Sequence, residues 1–66
     1  MRIDLEEIRE LVKRRKEINS IPLEKIEWFE DGKPVKIDKR IVENFLITGL
    51  NNIDFITSNY YLRKYG

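Results

Sequence analysis

Lys25-Ile26-Glu27-Trp28-Phe29-Glu30-Asp31-Gly32-Lys33-Pro34-Val35-Lys36-Ile37 decides between an all-helical chain and a mixed one. Asp31-Gly32 accepts the positive φ angles of a two-residue type I′ turn, and apolar residues alternate with charged ones on both sides of it. Closing that turn pairs Glu30 with Lys33. It also sets Trp28 opposite Val35 and Ile26 opposite Ile37 on one face, and Glu27 opposite Lys36 on the other. Apolar meets apolar and acid meets base, so a β-hairpin is expected. Pro34 has no amide hydrogen, which assigns it to an edge strand or to a position that makes no ladder bond. A competing pattern, with Leu23, Ile26 and Phe29 along one side of a short helix over residues 22–29, satisfies fewer of these matches.

Upstream of the hairpin, Leu5, Ile8, Leu11, Val12 and Ile18 recur at three- and four-residue intervals and predict a helix. Asp4 is its expected cap, Glu7 completes a capping box, and Ile3 packs on Ile8 as a hydrophobic staple. The helix should end near Asn19 and Ser20, because Pro22 restricts Ile21 and has no amide to donate. Downstream, Asp38 caps a second helix with the apolar stripe Ile41, Val42, Phe45 and Leu46, and Gly49 supplies a left-handed C-terminal cap. Asn51 or Asn52 caps a third segment, where Ile53, Ile56 and Tyr60 have helical spacing although residues 53–62 also suit a strand. Helix is expected there. The predicted fold is therefore a single α+β domain over residues 1–66 in the order α-β-β-α-α. An N-terminal helix, the Asp31-Gly32 hairpin and a C-terminal helical pair would enclose one core of Ile8, Leu11, Ile26, Trp28, Val35, Ile37, Ile41, Phe45, Leu46, Ile53 and Ile56.

Composition narrows the chemistry. Sixty-six residues suffice for one core, and 41% hydrophobic with 38% charged residues suits a small soluble fold. No apolar run approaches a membrane span. The chain contains no cysteine and no histidine, which removes disulfides, thiol nucleophiles, the usual zinc sites and the commonest general base. Ser20, Ser58, Thr48 and Thr57 have no histidine to activate them, and the scattered glycines make no phosphate-cradling loop. Glu6, Glu7 and Glu10 are accounted for by helix capping and the helix dipole. A non-enzymatic protein with neither cofactor nor metal is expected. Met1 is followed by a charged amphipathic run and no apolar leader segment, so a cytoplasmic location is expected.

Thirteen Lys and Arg against twelve Asp and Glu leave a formal charge of +1, short of the strongly basic balance of a dedicated nucleic-acid binder. Local features still suggest two functions. Lys13-Arg14-Arg15-Lys16 could neutralise phosphates, but successive residues lie about 100° apart on a helix and form a collar, with Glu10 in reach of Lys13 and Arg14. Residues 41–61, two helices around Gly49, resemble a helix-turn-helix. That likeness implies a DNA-binding regulator with Asn51, Asn52 and Thr57 at base edges; at this size it would act as a dimer, and Arg14 and Lys16 of the basic collar would hold phosphates. Phe45 departs from the motif, which has a small residue at that point. The strand before the pair also makes the segment similar to a ribbon-helix-helix, with a shorter first helix.

Aromatic residues suggest the other function. Trp28 and Phe29 must point to opposite faces of a strand, and Trp28 shares its face with the core, so Phe29 is expected to be exposed. Together with Tyr61, Arg63, Lys64 and Tyr65 it has the composition of a protein-binding surface. The leading expectation is a small binding protein, of the regulator or inhibitor type found in phages and mobile elements. It would dock on a larger protein or protein–nucleic-acid complex, with no membrane involved.

Overall fold

A computed structural model describes residues 1–66. It is a mixed α+β fold in which helices cover one face of a three-stranded sheet. Strand β1 (Arg2–Asp4) runs into a 3₁₀ turn at Leu5–Glu7, then α1 (Ile8–Lys13) and α2 (Arg15–Asn19). A second 3₁₀ turn at Leu23–Lys25 leads to β2 (Glu27–Glu30) and β3 (Lys33–Pro34). The chain closes with α3 (Lys39–Thr48) and α4 (Asn52–Tyr65).

The two-residue turn forms as its sequence predicts, with Asp31 at φ 52° and Gly32 at φ 76°, the left-handed pair a type I′ turn needs. Glu30 pairs with Lys33 and Phe29 with Pro34. The Val35 amide donates to the Trp28 carbonyl at 2.9 Å, so hydrogen-bonded pairs fall on either side of Pro34 and the proline occupies a position that needs no donor. Beyond Val35 the ladder stops. The expected pairings of Ile26 with Ile37 and of Glu27 with Lys36 do not form, because Ile26 ends the 3₁₀ turn and residues 35–37 leave the sheet. The rejected helical pattern over residues 22–29 survives in part, as that single turn.

The N-terminal strand was not anticipated. Residues 2–4 pair parallel with β2, with Arg2 opposite Glu27, Ile3 opposite Trp28 and Asp4 opposite Phe29. Ile3 is consequently a fully buried core residue rather than a staple at a helix entrance. Asp4 caps the first turn as expected by accepting from the Glu6 amide at 3.0 Å. Its carboxylate also receives the amides of Asp31 and Gly32, each at 3.1 Å. One side chain therefore joins the first turn of helix to the hairpin tip, and three donated hydrogen bonds hold its pKa below the usual carboxylate range.

The first helix is also broken where one continuous element was expected. Arg14 leaves helical geometry at φ −97°, ψ 18°, and its amide is shared between the carbonyls of Glu10 and Leu11. Ile3, Leu5, Leu11, Ile18, Leu23, Ile26, Phe45, Ile53, Phe55 and Ile56 form the core. Ile8, Trp28, Val35 and Ile37 pack at its margin. Ile41 and Leu46, both placed in the core by their spacing, are exposed. Helix α3 rests on the molecule through Phe45 and, in part, Val42, so half of its four-residue apolar stripe, Ile41 and Leu46, faces water. No helix is long and apolar enough to cross a membrane.

Candidate functional site

Helix α4 presents the largest exposed aromatic surface, and its position is fixed at both ends. At its start Asn51 caps the helix by accepting from the Asp54 amide at 2.9 Å. Asn52 is turned inward, 8% exposed, and donates to the carbonyls of Ile18 at 2.8 Å and Ile21 at 2.6 Å. The Asn19 side chain accepts from the Ile53 amide at 2.9 Å. These bonds satisfy the free ends of two helices with each other's side chains. Farther along, Phe55 meets Trp28 edge-on at 5.6 Å between ring centroids and Phe45 at 4.8 Å, which seats the helix on the sheet.

At the other end Arg63 pairs with Glu30 of β2 at 2.6 Å, and Lys64 pairs with Glu6 at 3.3 Å. The Glu6 carboxylate raises the Lys64 pKa above the usual lysine range, and Lys64 also lies 5.8 Å from the Tyr60 ring centre. Tyr61 and Tyr65, one turn apart, stack with centroids 6.0 Å apart and are 50% and 79% exposed. Tyr60 meets Tyr61 edge-on at 5.3 Å, and Leu62 is exposed beside the stack. Two rigid aromatic rings and an aliphatic neighbour thus stand on a helix already immobilised by its own contacts.

The residues expected to bind a partner therefore divide. Tyr61 and Tyr65 are exposed together. Arg63 and Lys64 adjoin them, yet each is engaged within the chain. Phe29 lies apart on the outer face of the sheet. It is half-buried, not exposed, because the Arg2 guanidinium covers its ring at 3.9 Å. That cover depends on the pairing of β1 with β2, which local sequence does not reveal.

The residues expected at nucleic acid are not brought together. Asn52 is buried in the helix anchor, the Asn51 oxygen caps its own helix, and the Thr57 hydroxyl donates to the Ile53 carbonyl at 2.7 Å. Asn52 and Ile53 at the start of α4 thus face the protein interior, while Asn51 and Asp54 are exposed. Arg14 pairs in a fork with Glu17 at 3.0 and 3.1 Å, while Glu10 takes only Lys13. The hydrogen bonds from Arg14 depress the Glu17 pKa and raise that of Arg14. Of the basic collar, Arg15 and Lys16 remain unpaired and exposed. No three acidic, cysteine or histidine side chains converge as metal ligands.

A second exposed apolar region was missed because Leu46 was assigned to the core and the spacing gave Ile47 and Leu50 no role. Leu46, Ile47 and Leu50 are exposed at the end of α3, beside a groove lined by Leu23, Ile26, Trp28, Ile37 and Val42. Comparison with protein-family models, curated sequences and solved structures gives no match.

Proposed function

We propose that this chain is a small non-enzymatic binding protein, of the regulator or inhibitor type, that docks on a larger protein through the end of α4. Tyr61 and Tyr65 are its anchors and Leu62 widens the contact. The observation that carries the reading is the exposed Tyr61–Tyr65 stack on a helix tied down by Asn52, Arg63 and Lys64. Tyrosine offers a large amphipathic contact with few rotatable bonds, and a pre-ordered presentation avoids much of the entropy cost of association. Arg63 and Lys64 supply a polar rim while keeping their internal partners.

The test is affinity capture from a native lysate, comparing the wild type with a Tyr61→Ala, Tyr65→Ala double variant whose circular dichroism and melting are unchanged. Loss of a specific protein with the variant supports the reading, and equal retention by both overturns it. Salt separates it from a DNA-binding role for the helical pair. An aromatic protein contact weakens little between low and moderate ionic strength, whereas phosphate neutralisation weakens steeply. A nuclease-sensitive, salt-sensitive complex would favour DNA instead.

A further inference from the structure

Helix α3 carries more apolar surface than the monomer covers. Phe45 alone is buried, Val42 is half-buried, and Leu46 is 66% exposed. Lys39, Val42, Glu43 and Leu46 recur at helical spacing and form one wall of a groove of about 460 Å³, and Leu23, Glu24, Ile26, Trp28 and Ile37 line the rest. Ridge and groove therefore lie side by side on the same face. A twofold contact requires such a patch, because each copy must offer both the projecting and the receiving surface.

We propose that this groove is filled by α3 of a second copy of the chain, packed antiparallel about a twofold axis beside Val42. In that arrangement Leu46 of each copy approaches Ile37 of its partner. Lys39 of each approaches the partner's Glu43, and neither residue makes an ion pair within its own chain. Opposite charges four residues apart on an antiparallel pair complement each other twice over. The formal charge of +1 opposes association little. This face is separate from the Tyr61–Tyr65 surface, so the dimer stands or falls independently of the partner reading.

Sedimentation equilibrium across about 1 µM to 1 mM, a range that brackets weak association, should show the mass rising from 8.0 kDa to twice that value. Leu46→Asp, at a side chain exposed in the monomer, should keep the fold by circular dichroism and abolish the rise. Glu43→Lys sets cation against cation and should weaken association by about tenfold, with Lys39→Glu in the same chain restoring it. Tyr61→Ala with Tyr65→Ala should dimerise like the wild type. A constant 8.0 kDa across the range overturns the proposal. So does a dimer that the α3 substitutions leave unchanged, or one that the tyrosine substitutions remove.

Discussion

The side-chain amide of Asn52 donates to the main-chain carbonyl of Ile18 at 2.8 Å, across 34 residues of sequence. The same nitrogen reaches Ile21 at 2.6 Å, so one buried polar group satisfies two carbonyls where the first helical region ends. Leaving a buried acceptor unpaired costs about 1–3 kcal/mol. Asn52→Ala should therefore lose about 2–4 kcal/mol of unfolding free energy by urea titration, a large fraction of what a domain this small possesses. Asn52→Asp replaces the donor with an acceptor facing two carbonyls and should be at least as damaging at neutral pH. A near-native urea midpoint for Asn52→Ala would remove the anchor role.

Packing at the centre of the aromatic cluster should outweigh packing on the expected stripe of α3. Phe55 touches both Trp28 and Phe45 and is buried. Phe55→Ala should cost about 3–5 kcal/mol and leave the chain largely unfolded at room temperature. Leu46→Ala removes a side chain already in water and should change the stability of the dilute monomer by about 0.5 kcal/mol or less. Thermal melts of the two variants at micromolar concentration compare them directly.

Acid should act through Asp4. The Glu6 amide contributes most to its lowered pKa, and the Gly32 and Asp31 amides add to it. A carboxyl whose folded pKa is depressed adds stability above its unfolded pKa, and that stability erodes as pH falls through the folded value. The window accordingly opens below about pH 5 and extends beneath the usual carboxylate range. Glu17 beside Arg14 and Asp38 beside Arg40 shift in the same direction and add to the slope. Urea midpoints should fall with acid in the wild type. Asp4→Asn should start lower at pH 7 and fall less steeply, and parallel curves would exclude Asp4 as a main contributor.

The Arg63–Glu30 pair should bind the end of α4 to the sheet with modest strength. Glu30 is the less exposed partner, yet water reaches both, so a double-mutant cycle of Arg63→Ala and Glu30→Ala should give a coupling of about 0.5–1 kcal/mol that shrinks in high salt. Amide exchange in the last turns of α4 should quicken in either single variant. A coupling of zero would mean that Phe55 and Asn52 hold the helix unaided.

Features that depend on a few neighbouring residues were legible in the sequence. The turn at Asp31-Gly32, the caps at Asp38, Gly49 and Asn51, and the helical state of residues 52–65 follow from local chemistry, and the structure has all of them. Strand β1 was not legible, because three residues paired parallel with a partner far along the chain leave no local signature. Its absence from the reading made Ile3 a staple and Phe29 a free aromatic. Arg14 interrupts the first helix without Pro or Gly to announce it. Asn52 looked like a surface amide because its partners are main-chain carbonyls, which composition cannot reveal. Of the candidate site, the tyrosines were legible as surplus aromatics, but the internal ion pairs of Arg63 and Lys64 required the fold.

The parallel pairing of β1 with β2 also imposes an order on folding. The Asp31-Gly32 turn closes over two residues, whereas joining Arg2 to Glu27 closes a loop of about 25, with its larger entropy loss and slower search. The hairpin can therefore assemble while residues 2–4 are still unpaired, and Ile3 is covered only when they join it. Until then one margin of β2 stands open, with its amides and carbonyls unsatisfied. During that interval the nascent chain is a template for any extended peptide, including the same three residues of a neighbouring molecule. Docking of the chain's own first strand ends that exposure.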